Sequence, residues 1–265
     1  MSDQPEPVFP PEIEEIIFSL CAQSNLPESG NLILVAKRVY QWLRPQLYEV
    51  VVFNTSWPHR RPSFKSDLLE VHSHHVRHIL FWSGECVEKL DTCLSWCPNV
   101  IDVALWSAET HYSSALINQL LSLHITHLSF DISTFHWGVT ENCTPDEVSF
   151  RSVTHLDLVG SEITLKANQI KTYFPSVTHI AFNGRRGLPT RDVLDCWESQ
   201  LEVLIWYLHR SRYDNTAHNL PNDPRIVVMG QDRDYVNEWI EATKDTPESV
   251  WRMAEVAVER RRRGV

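Results

Sequence analysis

The nine residues SVTHLDLVG at 152–160 recur 24 positions later, in slightly changed form, as SVTHIAFNG at 176–184. The same short pattern begins at Val76, Val100, Ile125, Val153, Val177 and Leu201, in steps of 24, 25, 28, 24 and 24 residues. Two further copies begin near Leu47 and Pro224. A period this constant predicts a stack of about eight similar units, because each copy must then meet the same surroundings.

Within each copy, apolar residues occupy the first, fourth and sixth positions, which is the L-x-x-L-x-L pattern of leucine-rich repeats. Between copies, the segments 84–99, 107–124, 161–176 and 188–200 have the apolar spacing of helices. The chain therefore resembles a leucine-rich-repeat protein. We predict an α/β fold over residues 47–230, a leucine-rich-repeat-like solenoid with a parallel sheet on one side and helices on the other. The insertion at 131–152 is predicted to protrude as a loop.

An ordinary α/β domain with parallel strands is the alternative fold, because its helices also recur at intervals of this size. We favour the solenoid, since such a domain has no reason to keep so regular a period or to repeat the tripeptide Val-Thr-His.

The third, fifth and seventh positions of each predicted strand point away from this core and form rows along the concave face of the sheet. These rows supply the predicted partner-binding residues His78, Asp102, His127, His155, Asp157, His179, Trp82 and Trp106. Imidazoles beside Asp102 are suited to an acidic or polar peptide, and the two tryptophans to anchoring it. For any single histidine, a hydrogen bond to the backbone at the turn is the competing interpretation.

Charge and motifs argue against several classes of function. The formal net charge of −10 opposes binding to nucleic acid and to anionic membranes. No apolar stretch is long enough to cross a bilayer, so the expected location is the cytoplasm or nucleus. The sequence has no G-x-S-x-G, no H-E-x-x-H and no glycine-rich phosphate loop, so we predict no catalytic residue, no enzyme activity and no cofactor. A hydrolase that uses the row of histidines is the least favoured hypothesis.

Histidines also crowd together at 72–78, in the sequence HSHHVRH. No carboxylate or thiol is placed predictably to complete a ligand shell around them, so no metal site is predicted there.

The first 48 residues differ from the repeats. Residues 1–8 are predicted to be disordered, and 9–46 to form short helices. Ile13, Ile16, Ile17 and Leu20 form one apolar stripe, and a second stripe follows from Leu32 to Leu43. At the other end, residues 231–265 are predicted to form a helical C-terminal cap.

This N-terminal segment resembles the F-box. The matching pieces are Phe9-Pro10, Glu12-Ile13, Ile17-Phe18, Leu26-Pro27-Glu28, Val35-Ala36-Lys37-Arg38 and Leu47-Tyr48. The chain departs from the pattern in Phe9, where leucine is usual, and in Val39, where many members have tryptophan. An F-box followed directly by irregular leucine-rich repeats is a known arrangement, and the whole chain resembles the F-box-like proteins that are abundant in fungi.

The resemblance implies a substrate-recognition subunit of a cullin-RING ubiquitin ligase. In that family the F-box docks on the adaptor subunit, and the repeats present a protein substrate. Carried over by position, the adaptor would contact Pro10, Ile13, Ile17, Leu34, Val35 and Lys37.

A stand-alone repeat scaffold without a ligase is the alternative function, with residues 9–46 serving only as a cap on the first repeat. Exposure separates the two hypotheses. A cap buries its apolar stripe within the chain, whereas docking helices leave a contiguous apolar patch open.

Overall fold

The computed structural model describes residues 9–24, 30–53, 66–82, 90–106, 112–131, 148–160, 165–184, 190–209, 220–231, 235–244 and 246–264. Within these ranges the strands are β1 (Val50–Phe53), β2 (His78–Phe81), β3 (Asp102–Leu105), β4 (His127–Asp131), β5 (His155–Gly160), β6 (His179–Gly184), β7 (Val203–His209) and β8 (Ile226–Gln231). The predicted disorder at 1–8, the Leu26-Pro27-Glu28 part of the F-box resemblance and most of the predicted loop at 131–152 lie outside the described residues.

The longer α-helices of the described part are α1 (Pro11–Ser24), α2 (Lys37–Glu49), α3 (Ser66–His72), α4 (Leu90–Trp96), α5 (Ser114–Ser122), α6 (Ala167–Tyr173), α7 (Thr190–Trp197), α8 (Tyr235–Ala242) and α9 (Val250–Arg262), and residues 30–32 are also helical. A short 3₁₀ helix follows α3 at Ser73–His75. The four helices predicted between repeats correspond to α4, α5, α6 and α7.

The strands form one sheet in which all neighbours are parallel and the spatial order is the chain order, β1 to β8. The predicted register is confirmed from β2 to β7. Asp102 lies opposite both His78 and His127 on the neighbouring strands, and His155 lies opposite both His127 and His179. Side chains one repeat apart therefore form continuous rows across the sheet.

The register of the first and last copies differs from the prediction by one residue. Val50, and not Glu49, pairs with His78 in the third-position row. In the last copy Ile226 takes the fourth position opposite Leu204, although the pattern had assigned it to the third. Both strands are runs of consecutive apolar residues, and such runs do not reveal which side chains face the core.

One face of the sheet carries the main core. The fourth and sixth positions, such as Ile79 and Phe81, pack there against residues of the intervening helices. Leu94 in α4, Ile117 in α5 and Val193 in α7 are fully buried in this cluster. Helices that are neighbours in the chain, such as α4 with α5 and α6 with α7, also contact each other. This α/β layer matches the predicted parallel sheet with helices on one side.

The C-terminal helices lie on the opposite face of the sheet. α8 places Val236, Trp239 and Ile240 against Leu80 and Ala104 of β2 and β3. α9 places Ala254 and Val258 against the fifth-position residues of β6, β7 and β8, which are Ala181, Ile205 and Val227. This placement differs from the predicted end cap, because these helices cover the face on which the predicted binding rows lie.

The N-terminal helices form a small cluster of their own. Ala22 of α1 packs with Val39 and Leu43 of α2, and all three are buried. The end of α2 joins this cluster to the first repeat. Arg44 donates from Nε to His72 Nδ1 over 3.0 Å, and the Tyr48 ring stacks on His72 with ring centroids 3.8 Å apart.

Candidate functional site

The third-position row runs across the middle of the sheet, from His78 on β2 through Asp102 to the three histidines of β4, β5 and β6. His78 Nδ1 lies 3.3 Å from Asp102 Oδ2. The remaining three histidines each follow a threonine in the repeated Thr-His pair. All five side chains therefore lie in one line, as the sequence predicted.

The Thr-His pairs form hydrogen bonds between neighbouring repeats. Thr154 donates from Oγ1 to the Thr126 carbonyl of the preceding strand over 3.3 Å, and the same oxygen lies 2.9 Å from His155 Nδ1. Thr126 with His127, and Thr178 with His179, repeat both contacts. In the described part of the chain, Nδ1 of each of these histidines contacts the hydroxyl of the preceding threonine, and this threonine bonds to the backbone. This local geometry is a physical reason for the recurrence of the pair.

The three imidazoles stack face to face. Ring centroids are 4.2 Å apart between His127 and His155, and 4.2 Å apart between His155 and His179. Trp251 of α9 covers the last two rings edge-on, at 5.1 Å and 5.9 Å. From the same helix, Glu255 Oε1 lies 3.5 Å from His179 Nε2.

Burial keeps these histidines neutral. Burial, together with smaller effects of the neighbouring His127 and His179, lowers the pKa of His155 to about 2. Burial also lowers the pKa values of His127 and His179, although Asp102 opposes this at His127 and Glu255 opposes it at His179. Neutral rings can stack closely because they do not repel one another as imidazolium ions would.

The expectation of an open binding wall is corrected by the position of α8 and α9. His78, Asp102 and His179 are each less than 10% exposed. His127, His155, Asp157, Trp82 and Trp106 are only partly exposed. A protein partner cannot lie directly along these rows while both helices are in place.

A cavity of about 50 Å³ remains between the sheet and the two C-terminal helices. Its sheet side carries a hydrogen-bonded chain, in which Trp106 donates from Nε1 to Ser129 Oγ over 2.7 Å and Ser129 donates to Asp157 Oδ2 over 3.0 Å. The other carboxylate oxygen of Asp157 is buried and has no hydrogen-bond partner among the described residues. Burial raises the pKa of Asp157 to about 7, the Ser129 hydrogen bond opposes the rise, and Asp102 and Glu238 add to it.

One group of described residues brings possible metal-ligand atoms together. It consists of His155, His179 and Glu255, whose ligand atoms all lie within 4.8 Å of one another. The two rings are tilted by only 17°, so their nitrogen lone pairs lie in nearly parallel planes and do not converge. A zinc ion about 2.0–2.1 Å from both nitrogens would require the rings to turn. As it stands, the cluster is arranged for stacking and polar contact. The four histidines at 72–78 are distributed over the end of α3, the 3₁₀ helix and β2, and the ring centroids of His74 and His75 lie 3.8 Å apart.

The six residues assigned to the adaptor are all exposed: Pro10, Ile13, Ile17, Leu34, Val35 and Lys37. They lie on the N-terminal helices and the turn between them. Ile16 and Leu20 extend the exposed apolar stripe of α1, at 54% and 59% exposure.

Sequence reasoning missed the cavity residues that come from the C-terminal helices, among them Tyr235, Glu238 and Trp251. The available signal was the amphipathic pattern of both helices, whose apolar stripes required a second apolar surface. That surface is supplied by the apolar fifth-position residues Leu80, Ala104 and Ile205, which alternate along the strands with core residues.

No protein-family model and no curated protein matches this chain. Among the residues that the structure describes, no helix is both long and apolar enough to span a membrane.

Proposed function

We propose that this chain is an F-box-type substrate-recognition subunit of a cullin-RING ubiquitin ligase and is not itself an enzyme. The observation that carries the proposal is the apolar stripe of α1, where Ile13, Ile16, Ile17 and Leu20 are between 41% and 59% exposed. In the turn before α2, Leu34 and Val35 are 80% and 64% exposed. Contiguous exposed apolar surface is typical of a docking site for another protein.

The packing of α1 supports docking over simple capping. Phe18 and Ala22 face α2, and Glu14 forms an ion pair with Arg38 at 2.8 Å. Residues 13, 16, 17 and 20 follow the i, i+3, i+4, i+7 spacing of one helix face, and that face points away from these contacts. If these helices served only to cap the first repeat, the stripe would be buried against the rest of the chain.

The finer fold assignment, a leucine-rich-repeat-like solenoid, is part of the proposal. It is supported by the sequential order of eight parallel strands and by rows of equivalent residues 24 to 28 positions apart. In this assignment the repeats hold a protein substrate. Because α8 and α9 cover the histidine row, the substrate contacts the protein around these helices and not along the bare sheet.

The test is direct binding of the purified chain to a purified F-box adaptor of a cullin-RING ligase, measured by calorimetry or biolayer interferometry. Ile17→Asp places a charge in the centre of the stripe, and burying an unpaired carboxylate costs several kcal/mol. We expect binding to weaken at least about 100-fold, which corresponds to about 3 kcal/mol.

Val71→Asp is the matched control. Val71 is 59% exposed on α3, outside the N-terminal stripe, so this variant should bind the adaptor normally. Circular dichroism of both variants establishes that they are folded. Failure of the unmodified chain to bind any F-box adaptor, or equal binding by Ile17→Asp, would refute adaptor docking and leave the stand-alone scaffold as the better hypothesis.

A further inference from the structure

The cavity beneath the C-terminal helices combines two kinds of side chain. Its lining includes the carboxylic acids Asp102, Asp157 and Glu238 and the aromatic residues Trp106, Tyr207 and Trp251. The sheet supplies Asp102, Asp157, Trp106 and Tyr207, whereas α8 and α9 supply the others. The site therefore exists only when both helices lie on the sheet.

The described side chains that line this cavity include acidic groups but no basic ones that are charged. Among the described residues that surround the cavity, none is lysine or arginine, and the histidines His127 and His155 are held neutral by burial. After burial, Asp102 and Glu238 contribute further to the raised pKa of Asp157. Burial raises the pKa of the Tyr207 hydroxyl, and the nearby acids Asp157 and Glu238 add to the rise. A cation in the cavity would relieve this repulsion between acidic groups.

Aromatic rings supply the second part of a cation site. Trp251 and Trp106 are partly exposed and border the cavity with Tyr207. The faces of such rings carry negative electrostatic potential, and rings around a cavity are a known way to bind alkylated ammonium groups. Aromatic surface would contact the carbon atoms of an organic ammonium ion, whereas a small inorganic cation would leave it unused.

The carboxyl group of Asp157 is held in position at the cavity by a hydrogen bond to one of its two oxygens. Ser129 holds one carboxylate oxygen in place, and Trp106 in turn holds Ser129. The second oxygen, Oδ1, is buried, and no group in the described part of the chain forms a hydrogen bond with it. Leaving a buried carboxylate oxygen unsatisfied is costly, and such groups in a cavity mark candidate binding positions.

We propose that this cavity binds an organic ammonium head group, with Asp157 and Glu238 balancing its charge and Trp106, Tyr207 and Trp251 surrounding its carbon atoms. Two sources share this chemistry: the side chain of a lysine or methylated lysine in a protein, and a free small amine. At about 50 Å³ the cavity has room for about three to five non-hydrogen atoms, which matches a head group and not a whole ligand.

The site is distinct from the N-terminal apolar stripe, so the inference does not depend on adaptor docking. If the lysine form is bound, it also defines the chemistry of the protein substrate, because a chain with a net charge of −10 attracts basic partners.

The experiment is titration calorimetry of the full chain with two matched pairs of probes. The first pair is choline and 3,3-dimethylbutan-1-ol, which have the same shape but differ in charge. The second is an acetyl-capped peptide with one lysine and the same peptide with that lysine acetylated. We expect at least one cationic probe to bind at least tenfold more tightly than its neutral counterpart, and the pair that responds identifies the source.

Asp157→Asn and Glu238→Gln should each weaken binding of that cation at least tenfold, while the exposed Asp192→Asn on α7 should not change it. Two acid variants on different elements keep the test valid if one of them fails to fold. If choline is the bound probe, its affinity should also rise about tenfold from pH 6 to pH 8, as Asp157 ionises. Equal binding of charged and neutral probes in both pairs, or undiminished binding by both acid variants, overturns the proposal.

Discussion

The buried Asp157 carboxyl group should contribute less to the stability of the folded protein at neutral pH than in mild acid. Its pKa in the folded chain is about 7, against an ordinary value of 3.8, so the folded state holds a proton that the unfolded state releases. This contribution to stability is fully present below pH 3.8 and is lost as the pH rises towards 7. At about 1.4 kcal/mol for each pKa unit, the loss amounts to about 4 kcal/mol above pH 7.

Asp157→Asn removes this cost and keeps an oxygen that can accept the Ser129 hydrogen bond. We therefore expect the variant to be more stable than the unmodified protein at pH 8, by between about 1 and 4 kcal/mol. The lower value allows for the new amide group, which must find its own partner. The difference between the two proteins should grow by about 1.4 kcal/mol per pH unit between pH 4 and pH 7 and then remain constant.

Urea unfolding followed by circular dichroism, repeated from pH 4.5 to pH 8.5, measures this difference. Both proteins carry the stacked histidines, so their titration largely cancels when the two curves are subtracted. Asp192→Asn, an exposed acid on α7, provides the control and should differ from the unmodified chain by less than about 0.5 kcal/mol. A stability difference for Asp157→Asn that does not change with pH would refute the assigned environment of Asp157.

Two further variants test the stacked histidines and the backbone. Because burial lowers the pKa of His155 to about 2, the contribution of His155 to stability is present above pH 6.5 and is lost as the pH falls below 6.5. His155→Phe, which retains a flat ring, should therefore reduce the loss of unfolding free energy between pH 6.5 and pH 5 by about 2 kcal/mol in urea unfolding. An unchanged loss of stability in acid would contradict this. Gly160 has φ +142°, and a Cβ there would lie 3.2 Å from Asp131 Oδ1. Gly160→Ala should therefore lower the unfolding free energy by about 1–3 kcal/mol, whereas a neutral result in thermal unfolding would show that the backbone relaxes.

The central part of the sheet could be predicted in detail from the sequence. In β4, β5 and β6 the Thr-His pair marks the start of each strand and its outward face, and the nearly constant repeat period extends the same alignment to β2, β3 and β7. The prediction was displaced by one residue at β1 and β8. There VVVF and IVVM offer no polar residue to distinguish the two faces.

Only the sheet side of the candidate site could be predicted from the sequence. The rows that carry Asp102, Asp157 and Trp106 follow from the repeat, and so does their presence on one face. The sequence held no comparable signal for Trp251 or Glu238 as their neighbours, because these residues follow the last repeat and belong to no period. An amphipathic helix shows that it needs an apolar surface, but several surfaces of the protein could satisfy that need.

The sequence by itself determined the repeating unit, the parallel order of its strands and the alignment of His127, His155 and His179, because each of these depends on local patterns that recur along the chain. Only the tertiary structure decided that α8 and α9 return across the sheet and cover an open row of polar residues, leaving a partly open cavity beneath them. The physical reason is that contacts between residues far apart in the chain depend on the shape of the whole surface. Leu80, Ala104 and Ile205 form that surface together only after all the strands have assembled.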